Sequence, residues 1–188
     1  MFRVVLAPNE ILRTKTVSTD LTPEKLKKII SGMTKVLLAQ KDPEGVGLAA
    51  NQVGLPYSIF LTRFFIKNLP AGRQESEPVR VFINPKIVDH SEEIQNETKD
   101  SPLEGCLSIP KYYGVVQRWQ WIKLEYQNEK CEIKNDKFVG FPAVVIQHEM
   151  DHLNGTVFVE RILEQNGRLY KVTGKNKKGK DEWEEVQL

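Results

Sequence analysis

The chain has 188 residues, of which 40% are hydrophobic and 28% are charged, and its formal net charge is +2 at pH 7. These values are typical of one globular domain with a hydrophobic core, and the small net charge gives no indication of a DNA or membrane partner. Two cysteines far apart argue against a disulfide framework, and neither a membrane-spanning apolar run nor a leader pattern is present, so we expect a cytoplasmic protein.

An amphipathic helix is predicted after an extended, irregular lead-in over residues 1–21. Thr22 is a favourable N-cap residue, and Pro23 suits the first helical position. Asp42 and Pro43 end the helix. The apolar residues between these limits recur at helical spacing and predict one buried stripe with a packing role, made of Leu26, Ile29, Ile30, Met33, Val36 and Leu37.

A glycine-containing segment follows at residues 44–54. Its spacing imitates a dinucleotide-binding fingerprint, but that fingerprint needs a buried strand before it, and a lysine-rich helix precedes it here. Gly45 and Gly47 instead suit a tight turn or a close approach of the backbone to a ligand. The side-chain amide of Gln52 lies near that backbone and is a candidate oxyanion donor.

The middle of the chain predicts short strands at residues 57–61, 79–83 and 86–88, because these stretches are rich in β-branched and aromatic residues. Residues 64–78 form a polar connection with two prolines and a glycine, and we expect a mobile surface insertion. Residues 91–101 predict a charged loop, with His90 as a solvated histidine at its start.

Two further strands, at residues 121–126 and 130–134, predict a hairpin that leads towards residues 138–139. Cys131 belongs to this hairpin and is interpreted as structural. Cys106 follows a glycine and precedes an apolar residue, which is typical of a small core residue. It is also a candidate soft metal ligand, because zinc and iron accept thiolate beside imidazole.

The strongest chemical signal is the sequence QHEMDH at residues 147–152. A helix is predicted here, with Pro142 in its first turn and Gly155 after its end. His148 and His152 are four residues apart, so one face of the helix can present both imidazoles to a single metal ion. Glu149 lies beside the first histidine and suits a general base.

The third ligand is not part of this motif. In one class of zinc proteases a further histidine follows, but Phe158 occupies that position here. A catalytic metal needs three protein ligands and one open position, so one of the remaining donors must complete the site. The candidates are His90, Cys106, Cys131 and Glu160.

The C-terminal part is less informative. Residues 156–159 are short and apolar, and residues 161–163 are expected to begin another element. A basic run at residues 175–180 precedes an acidic stretch at 181–185, which is typical of a solvated turn or tail, and the pattern does not decide between a hairpin and a helix. We expect a catalytic domain over residues 1–165 and a tail or extension over 166–188.

Three stretches together resemble the peptide deformylase family: GVGLAANQ at residues 45–52, EGCLS at 104–108 and QHEMDH at 147–152. The resemblance spans about residues 8–163. It implies an α+β fold in which antiparallel sheets pack around a central metal-bearing helix. It also implies a hydrolase of protein biosynthesis, which removes the formyl group from N-formylmethionyl peptides and nascent chains and releases formate, with the ribosome as a further candidate partner.

The resemblance assigns a role to each motif residue. It implies that Cys106, His148 and His152 hold one divalent ion, Fe²⁺ typically, with Zn²⁺, Ni²⁺ or Co²⁺ accepted. Glu149 becomes the acid/base. The oxyanion is bound by Gln52 and by the backbone N–H of Leu107, while the remaining residues would contact substrate: Val46 and Gly47 along its backbone, Tyr113 beside it, and Phe141 and Val144 around the methionine side chain.

Two positions depart from the family pattern. Many members carry an arginine that helps to bind the peptide backbone at the position where this chain has Tyr113. The residue at Val144 is often bulkier, which changes the expected depth of the pocket. Asp151 has no evident chemical role, and because a buried carboxylate must be paired, we predict an ion pair with Arg118.

Two other function classes remain open at this point. A metallopeptidase of another kind would use the same helix and take Glu160 or Glu164 as its third ligand. A metal-stabilised binding module would dock on ribosomal RNA through the basic run at residues 175–180. The binding module leaves Glu149 and Gln52 without a role, and a closed structural site would need a fourth protein ligand.

Overall fold

Nine strands and three α-helices are present in the computed structural model, which describes residues 2–41, 44–65, 76–95 and 103–187. The helices are α1 (Pro23–Ala39), α2 (Phe141–Leu153) and α3 (Phe158–Glu164), and short 3-10 turns lie at Glu10–Arg13 and Ala50–Val53. The strands are β1 (Gly47–Ala49), β2 (Ile59–Thr62), β3 (Arg80–His90), β4 (Glu104–Cys106), β5 (Ile109–Gly114), β6 (Trp121–Gln127), β7 (Ile133–Val139), β8 (Leu169–Lys175) and β9 (Asp181–Val186).

The strands form two antiparallel sheets, one in the order β1-β2-β3-β6-β7 and the other in the order β4-β5-β8-β9. Helices α1 and α2 contribute to different core clusters of the five-stranded sheet. Because side chains alternate along a strand, Ile59 and Leu61 of β2 pack in the cluster with α1, and Phe60 packs in the cluster with α2. This explains why all four residues of β2 are buried.

An aromatic group lies at the centre of the cluster beneath α2. Phe82 stacks on Phe60 with ring centroids 4.5 Å apart, and it also contacts Tyr126 at 4.5 Å and Phe138 at 5.9 Å. These four rings belong to four different strands, β2, β3, β6 and β7. The four rings therefore hold these strands together on the face of the sheet against which α2 packs.

The four-stranded sheet and α3 enclose a third cluster, which contains Cys106, Phe158, Ile162 and Leu169. Gly114 of β5 is required for this packing, because a Cβ there would lie 2.6 Å from the backbone carbonyl oxygen of Arg168 and would collide with the side chain of Ile162. Helix α2 thus has the five-stranded sheet on one side and the strand that carries Cys106 on the other.

The predicted α+β fold, with antiparallel sheets around a central metal-bearing helix and an amphipathic N-terminal helix, is confirmed. Thr22 occupies the N-cap of α1 as predicted, although its side chain makes no capping hydrogen bond, and Pro23 lies at the start of the helix. Across the residues that the structure describes, no helix combines the length and apolar character needed to cross a bilayer.

Several predicted boundaries are wrong. The separate strands at 79–83 and 86–88 are one strand, β3, which stays paired through an irregularity at Asn84, a residue with φ of 49°. His90 ends β3 and stacks on Trp119 with ring centroids 3.8 Å apart, so it is not a loop residue. The second hairpin strand is Ile133–Val139, and Cys131 lies in the turn with φ of 60°.

The C-terminal residues form a hairpin of β8 and β9, which resolves the choice between hairpin and helix. β8 pairs with β5, so the hairpin continues the sheet that carries Cys106. The predicted element at 161–163 is helix α3, and the lead-in at 1–21 contains the turn at Glu10–Arg13. Most of the predicted insertion at 64–78 and the second half of the predicted loop at 91–101 lie outside the described residues.

We predict that Phe82→Ala destabilises the protein by about 3–5 kcal/mol, because it removes the ring that contacts three others and leaves a cavity beneath α2. Ile133→Ala is the matched control, since Ile133 is 67% exposed and its truncation should change the free energy of unfolding by less than about 1 kcal/mol. Urea denaturation of both variants measures this difference, and equal losses would show that the aromatic group does not organise the core.

Candidate metal centre

Helix α2 is buried along nearly its whole length, although its second half is polar. Its buried polar residues are Gln147, His148, Glu149, Asp151 and His152. Polar side chains in such a position need partners, since an unpaired buried charge is strongly unfavourable. The partners of these residues therefore define what the helix is built to hold.

Cys106 meets the two histidines of α2. Its Sγ atom lies 3.2 Å from Nε2 of His152, and the ligand atoms of Cys106, His148 and His152 all lie within 4.8 Å of one another. The two imidazole rings are 4.9 Å apart at nearly a right angle, as expected for residues one turn apart. All three residues are buried.

The other candidate ligands lie elsewhere. Cys131 is exposed in the β6–β7 turn, and His90 is held against Trp119. Glu160 accepts a hydrogen bond from the backbone N–H of Val157 at 3.0 Å and pairs with Arg13 at 2.9 Å. None of these residues joins the cluster of Cys106, His148 and His152.

The donor set suits a divalent metal ion. Burial raises the pKa of the Cys106 thiol, but the adjacent His152 and His148 more than offset it, so that its pKa lies well below the usual value and favours the thiolate. The Nδ1–H of His148 donates to Glu104 at 2.9 Å, which leaves Nε2 for a ligand bond. One thiolate and two imidazoles are donors that zinc and iron accept.

Glu104 is a site residue that the motif analysis did not identify. In a strand, residues two apart share a face, so β4 directs Glu104 and Cys106 together towards α2. Despite burial, Arg118 and His148 lower the pKa of Glu104 to about 2. The available signal was a carboxylate two residues before the candidate ligand Cys106. This signal could be used only if residues 104–106 were known to form a strand, in which such residues share a face.

Glu104 belongs to a buried ionic network that joins β4 to α2. Arg118 donates to both oxygens of Glu104, at 2.8 and 2.9 Å, and to Asp151 at 2.6 Å. The predicted pair of Arg118 and Asp151 is thereby confirmed. Arg161 of α3 donates to the other oxygen of Asp151 at 2.7 Å, so two carboxylates face two guanidinium groups.

Glu149 follows His148 on α2 and is buried, with 3% of its surface exposed. Its Oε2 atom has no hydrogen-bond partner among the described residues. Burial raises its pKa to about 7, against the opposing effect of the two histidines. A Cβ on Gly47 would collide with the Glu149 carboxylate, so the glycine at this position gives the carboxylate its space.

Gln52 completes the polar side of the site. Its Oε1 atom accepts the backbone N–H of Ala49 at 2.8 Å, which orients the amide so that Nε2 lies 3.4 Å from Cys106 Sγ and 3.3 Å from Ser108 Oγ. Leu107 lines the same cavity. The amide N–H groups of Gln52 therefore lie beside Cys106, and Gln52 also lines the cavity.

A cavity of about 200 Å³ opens onto Cys106, His148 and Glu149. It is also lined by all five residues predicted to contact substrate: Val46, Gly47, Tyr113, Phe141 and Val144. Val46 and Gly47 lie on the β1 side, Tyr113 lies on the β5 side, and Phe141 and Val144 belong to the first turn of α2. The structure thus brings together the residues that the sequence left far apart.

The family model for polypeptide deformylase matches residues 1–168. The chain belongs to the peptide deformylase family. It is an enzyme that removes the N-terminal formyl group from nascent polypeptides. Similar curated deformylases are those of Helicobacter pylori strain P12, 39% identical over 166 residues, and Aquifex aeolicus strain VF5, 38% identical over 160 residues. Those alignments cover 86% and 85% of this chain and 86% of each relative.

Solved deformylase structures have the same fold. The Acinetobacter baumannii enzyme with bound Met-Ala-Ser is 31% identical, with a TM-score of 0.71 over 85% of this chain and 96% of that one. The Thermotoga maritima enzyme is also 31% identical, with a TM-score of 0.68 over 86% of this chain and 97% of that one. The similarity extends over most of each deformylase chain.

We predict that Arg118→Ala destabilises this deformylase by about 3–5 kcal/mol, because it leaves the buried carboxylate of Glu104 without a guanidinium partner. Asp151→Ala should destabilise it less, because Arg118 then keeps both of its hydrogen bonds to Glu104. Lys134→Ala is the control, since its ion pair with Glu132 is also short, at 2.8 Å, but is about half exposed and should contribute about 0–1 kcal/mol. Thermal melts compare the three variants. Shifts of only a degree or so in the first two would show that the network contributes little.

Proposed function

We propose that Cys106, His148 and His152 hold one divalent ion, Fe²⁺ in vivo, and that Glu149 is the general acid/base of deformylation. The observation that carries this proposal is the convergence of one thiol and two imidazoles within 4.8 Å, beside a buried carboxylate that lines the same cavity. Zn²⁺, Ni²⁺ and Co²⁺ also accept these donors, so the thiolate and the two imidazoles suit several divalent transition-metal ions. A divalent ion bound there supplies Lewis-acid activation of a water molecule near neutral pH.

Glu149 performs the proton transfers in this mechanism. Its carboxylate accepts a proton from the attacking water and later donates it to the nitrogen of the leaving amine, as the C–N bond to the formyl group breaks and formate departs. The unpaired Oε2 atom of Glu149 is available for both steps. The side chain cannot move far, because Gly47 and the surrounding core confine it.

Gln52 and Leu107 stabilise the negative charge that develops on the formyl oxygen. The bond from Ala49 N–H to Gln52 Oε1 fixes the amide before substrate binds, so little reorganisation is needed when the charge appears. The backbone N–H of Leu107 is the second donor, at the residue that directly follows the ligand Cys106. Gln52 and Leu107 both line the cavity.

The substrate backbone pairs with the free edge of β1. This strand is at the end of its sheet, and the carbonyl of Val46 accepts the N–H of Arg63 on the β2 side. Because polar groups alternate along a strand, those of Gly47 face the free edge and can pair with an extended peptide. Phe141 and Val144 then enclose the methionine side chain, and Tyr113 borders the residues that follow.

The substrates are N-formylmethionyl peptides and nascent chains. We also propose residues 1–165 as the catalytic domain, residues 166–188 as its extension, and the cytoplasm as its location, with the ribosome as a docking partner. Formate release from a formyl-Met peptide by metal-assayed protein tests the activity, and co-sedimentation with ribosomes tests the partner. A protein that cleaves internal peptide bonds and releases no formate would contradict the proposed function.

We predict that Glu149→Ala retains the metal and loses about 10²–10⁴-fold in kcat, because the group removed transfers protons and is not a ligand. Glu129→Ala is the control, since Glu129 lies exposed in the β6–β7 turn. Metal content by elemental analysis and formate release are measured on the same preparations. Stoichiometric loss of metal from Glu149→Ala would mean that Glu149 is a ligand and that the proposed acid/base role is wrong.

We predict that the Fe²⁺ form loses activity in air as Cys106 is oxidised, whereas the Zn²⁺ form survives. The thiolate is the most oxidisable ligand, ferrous iron reacts with dioxygen, and zinc has no redox chemistry. Activity is followed beside mass spectrometry of both cysteines. Cys131→Ser is the control, because Cys131 is exposed but lies outside the ligand cluster. If Cys131→Ser preserved the activity of the Fe²⁺ form in air as well as anaerobic handling does, Cys131 and not Cys106 would be the oxidation-sensitive cysteine.

A further inference from the structure

The C-terminal hairpin of β8 and β9 is part of the sheet that borders the active-site cavity. β5 pairs with β4, which carries Cys106, and also with β8, which pairs with β9. Residues 169–188 lie beyond the part of the chain that the family model matches. The hairpin is therefore an addition to the matched part of the chain that is continuous with one wall of its cavity.

Strand register places aromatic side chains of this hairpin on the cavity side of the sheet. Gly105 lies opposite Tyr113, Tyr113 lies opposite Tyr170, and Tyr170 lies opposite Glu185. Directly opposed residues share a face, and so do residues two apart in one strand. Trp183 is therefore on the same face as Gly105 and Tyr113.

Tyr113 connects Trp183 to the cavity. The Tyr113 ring covers Gly105, where a Cβ would lie 2.5 Å from a ring carbon, and Tyr113 itself lines the cavity. Trp183 packs against the Tyr113 ring edge to face, with ring centroids 5.1 Å apart. Trp183 nevertheless remains 45% exposed, so part of its indole is available to a ligand.

Trp183 lies among charges of both signs, because Lys171 and Lys175 of β8 lie opposite Glu184 and Asp181, and Arg168 lies 3.9 Å from Glu185. β9 carries four carboxylates, those of Asp181, Glu182, Glu184 and Glu185, and all four residues are exposed. An apolar or aromatic side chain of the substrate can pack on the indole of Trp183, whereas an acidic side chain would lose hydration there without gaining a partner. The indole of Trp183 thus favours an aromatic or apolar substrate side chain over an acidic one.

We propose that Trp183, supported by Tyr113, forms a subsite for an aromatic or large apolar side chain downstream of the formylmethionine. This inference rests on the proposed function, because the occupant is the remainder of the peptide whose N terminus lies in the cavity. That peptide must leave the cavity along one of its walls, and the wall that contains Gly105 and Tyr113 continues directly to Trp183. Trp183 is thus a specificity-determining residue.

Four peptides test the subsite on the metal-loaded enzyme: formyl-Met-Phe-Ala-Ala, formyl-Met-Ala-Phe-Ala and their counterparts with Asp in place of Phe. Formyl-Met-Ala is the short reference substrate. Alternate side chains of an extended peptide point in opposite directions, so one of the two positions should respond. At that position we expect kcat/KM for Phe to exceed that for Asp by about 5- to 15-fold.

Trp183→Ala should reduce this Phe-to-Asp ratio to about one, and Trp183→Phe, which keeps a ring, should restore most of it. Glu184→Gln is the matched control, because Glu184 is on the same strand but faces the other side, and its ratio should equal that of the wild type. A wild-type ratio near one at both positions, or a ratio that Trp183→Ala leaves unchanged, overturns the subsite. Absence of formate release from formyl-Met-Ala would instead overturn the proposed function itself.

Discussion

The site depends on the ion pairs made by the buried guanidinium group of Arg118. This group contacts Glu104 on β4 and Asp151 on α2, so one side chain joins the segment that carries the thiol to the helix that carries both imidazoles. Burying these charges is costly, and the cost is offset only because every charge has an opposite partner at hydrogen-bond distance. With Arg161 included, the two carboxylates and two guanidinium groups carry no net charge.

This network also orients the first histidine. Glu104 accepts from Arg118 with both oxygens and from His148 Nδ1 with one of them, so the tautomer and the ring direction of His148 are fixed by the same carboxylate. A carboxylate behind a ligating imidazole is a recurrent arrangement in metal sites, where it increases ligand basicity. His152 has no such partner, since its Nδ1 atom is buried without a hydrogen bond among the described residues. The two histidines are therefore not equivalent.

The cavity is formed by elements that come from distant parts of the chain. β1 supplies the close approach of Gly47, the β4–β5 pair supplies Gly105 and Tyr113, and the first turn of α2 supplies Phe141 and Val144. Two glycines are needed because neighbouring side chains occupy the space of their missing Cβ atoms, the carboxylate of Glu149 in one case and the ring of Tyr113 in the other. Tyr113 is fixed by this packing between Gly105 and Trp183.

The sequence by itself determined what depends on local geometry. The helical period is enough to place His148 and His152 on one face with Glu149 beside them. The same period predicts the buried apolar stripe of α1. Cys106 was indicated as a candidate ligand by its chemistry and by the family resemblance. The Asp151–Arg118 pair was predicted from the requirement that a buried charge be neutralised. These predictions needed no knowledge of how distant segments meet.

Only the tertiary structure decided which distant groups share a site. Glu104 and Arg161 are ordinary charged residues in the sequence, and their roles depend on how β4 and α3 pack against α2. The position of Trp183 depends on the pairing of β8 with β5, and the single strand β3 depends on its pairing with β6 across the irregularity at Asn84. The physical reason is that strand pairing joins residues far apart in the chain, and local periodicity carries no information about which strands pair.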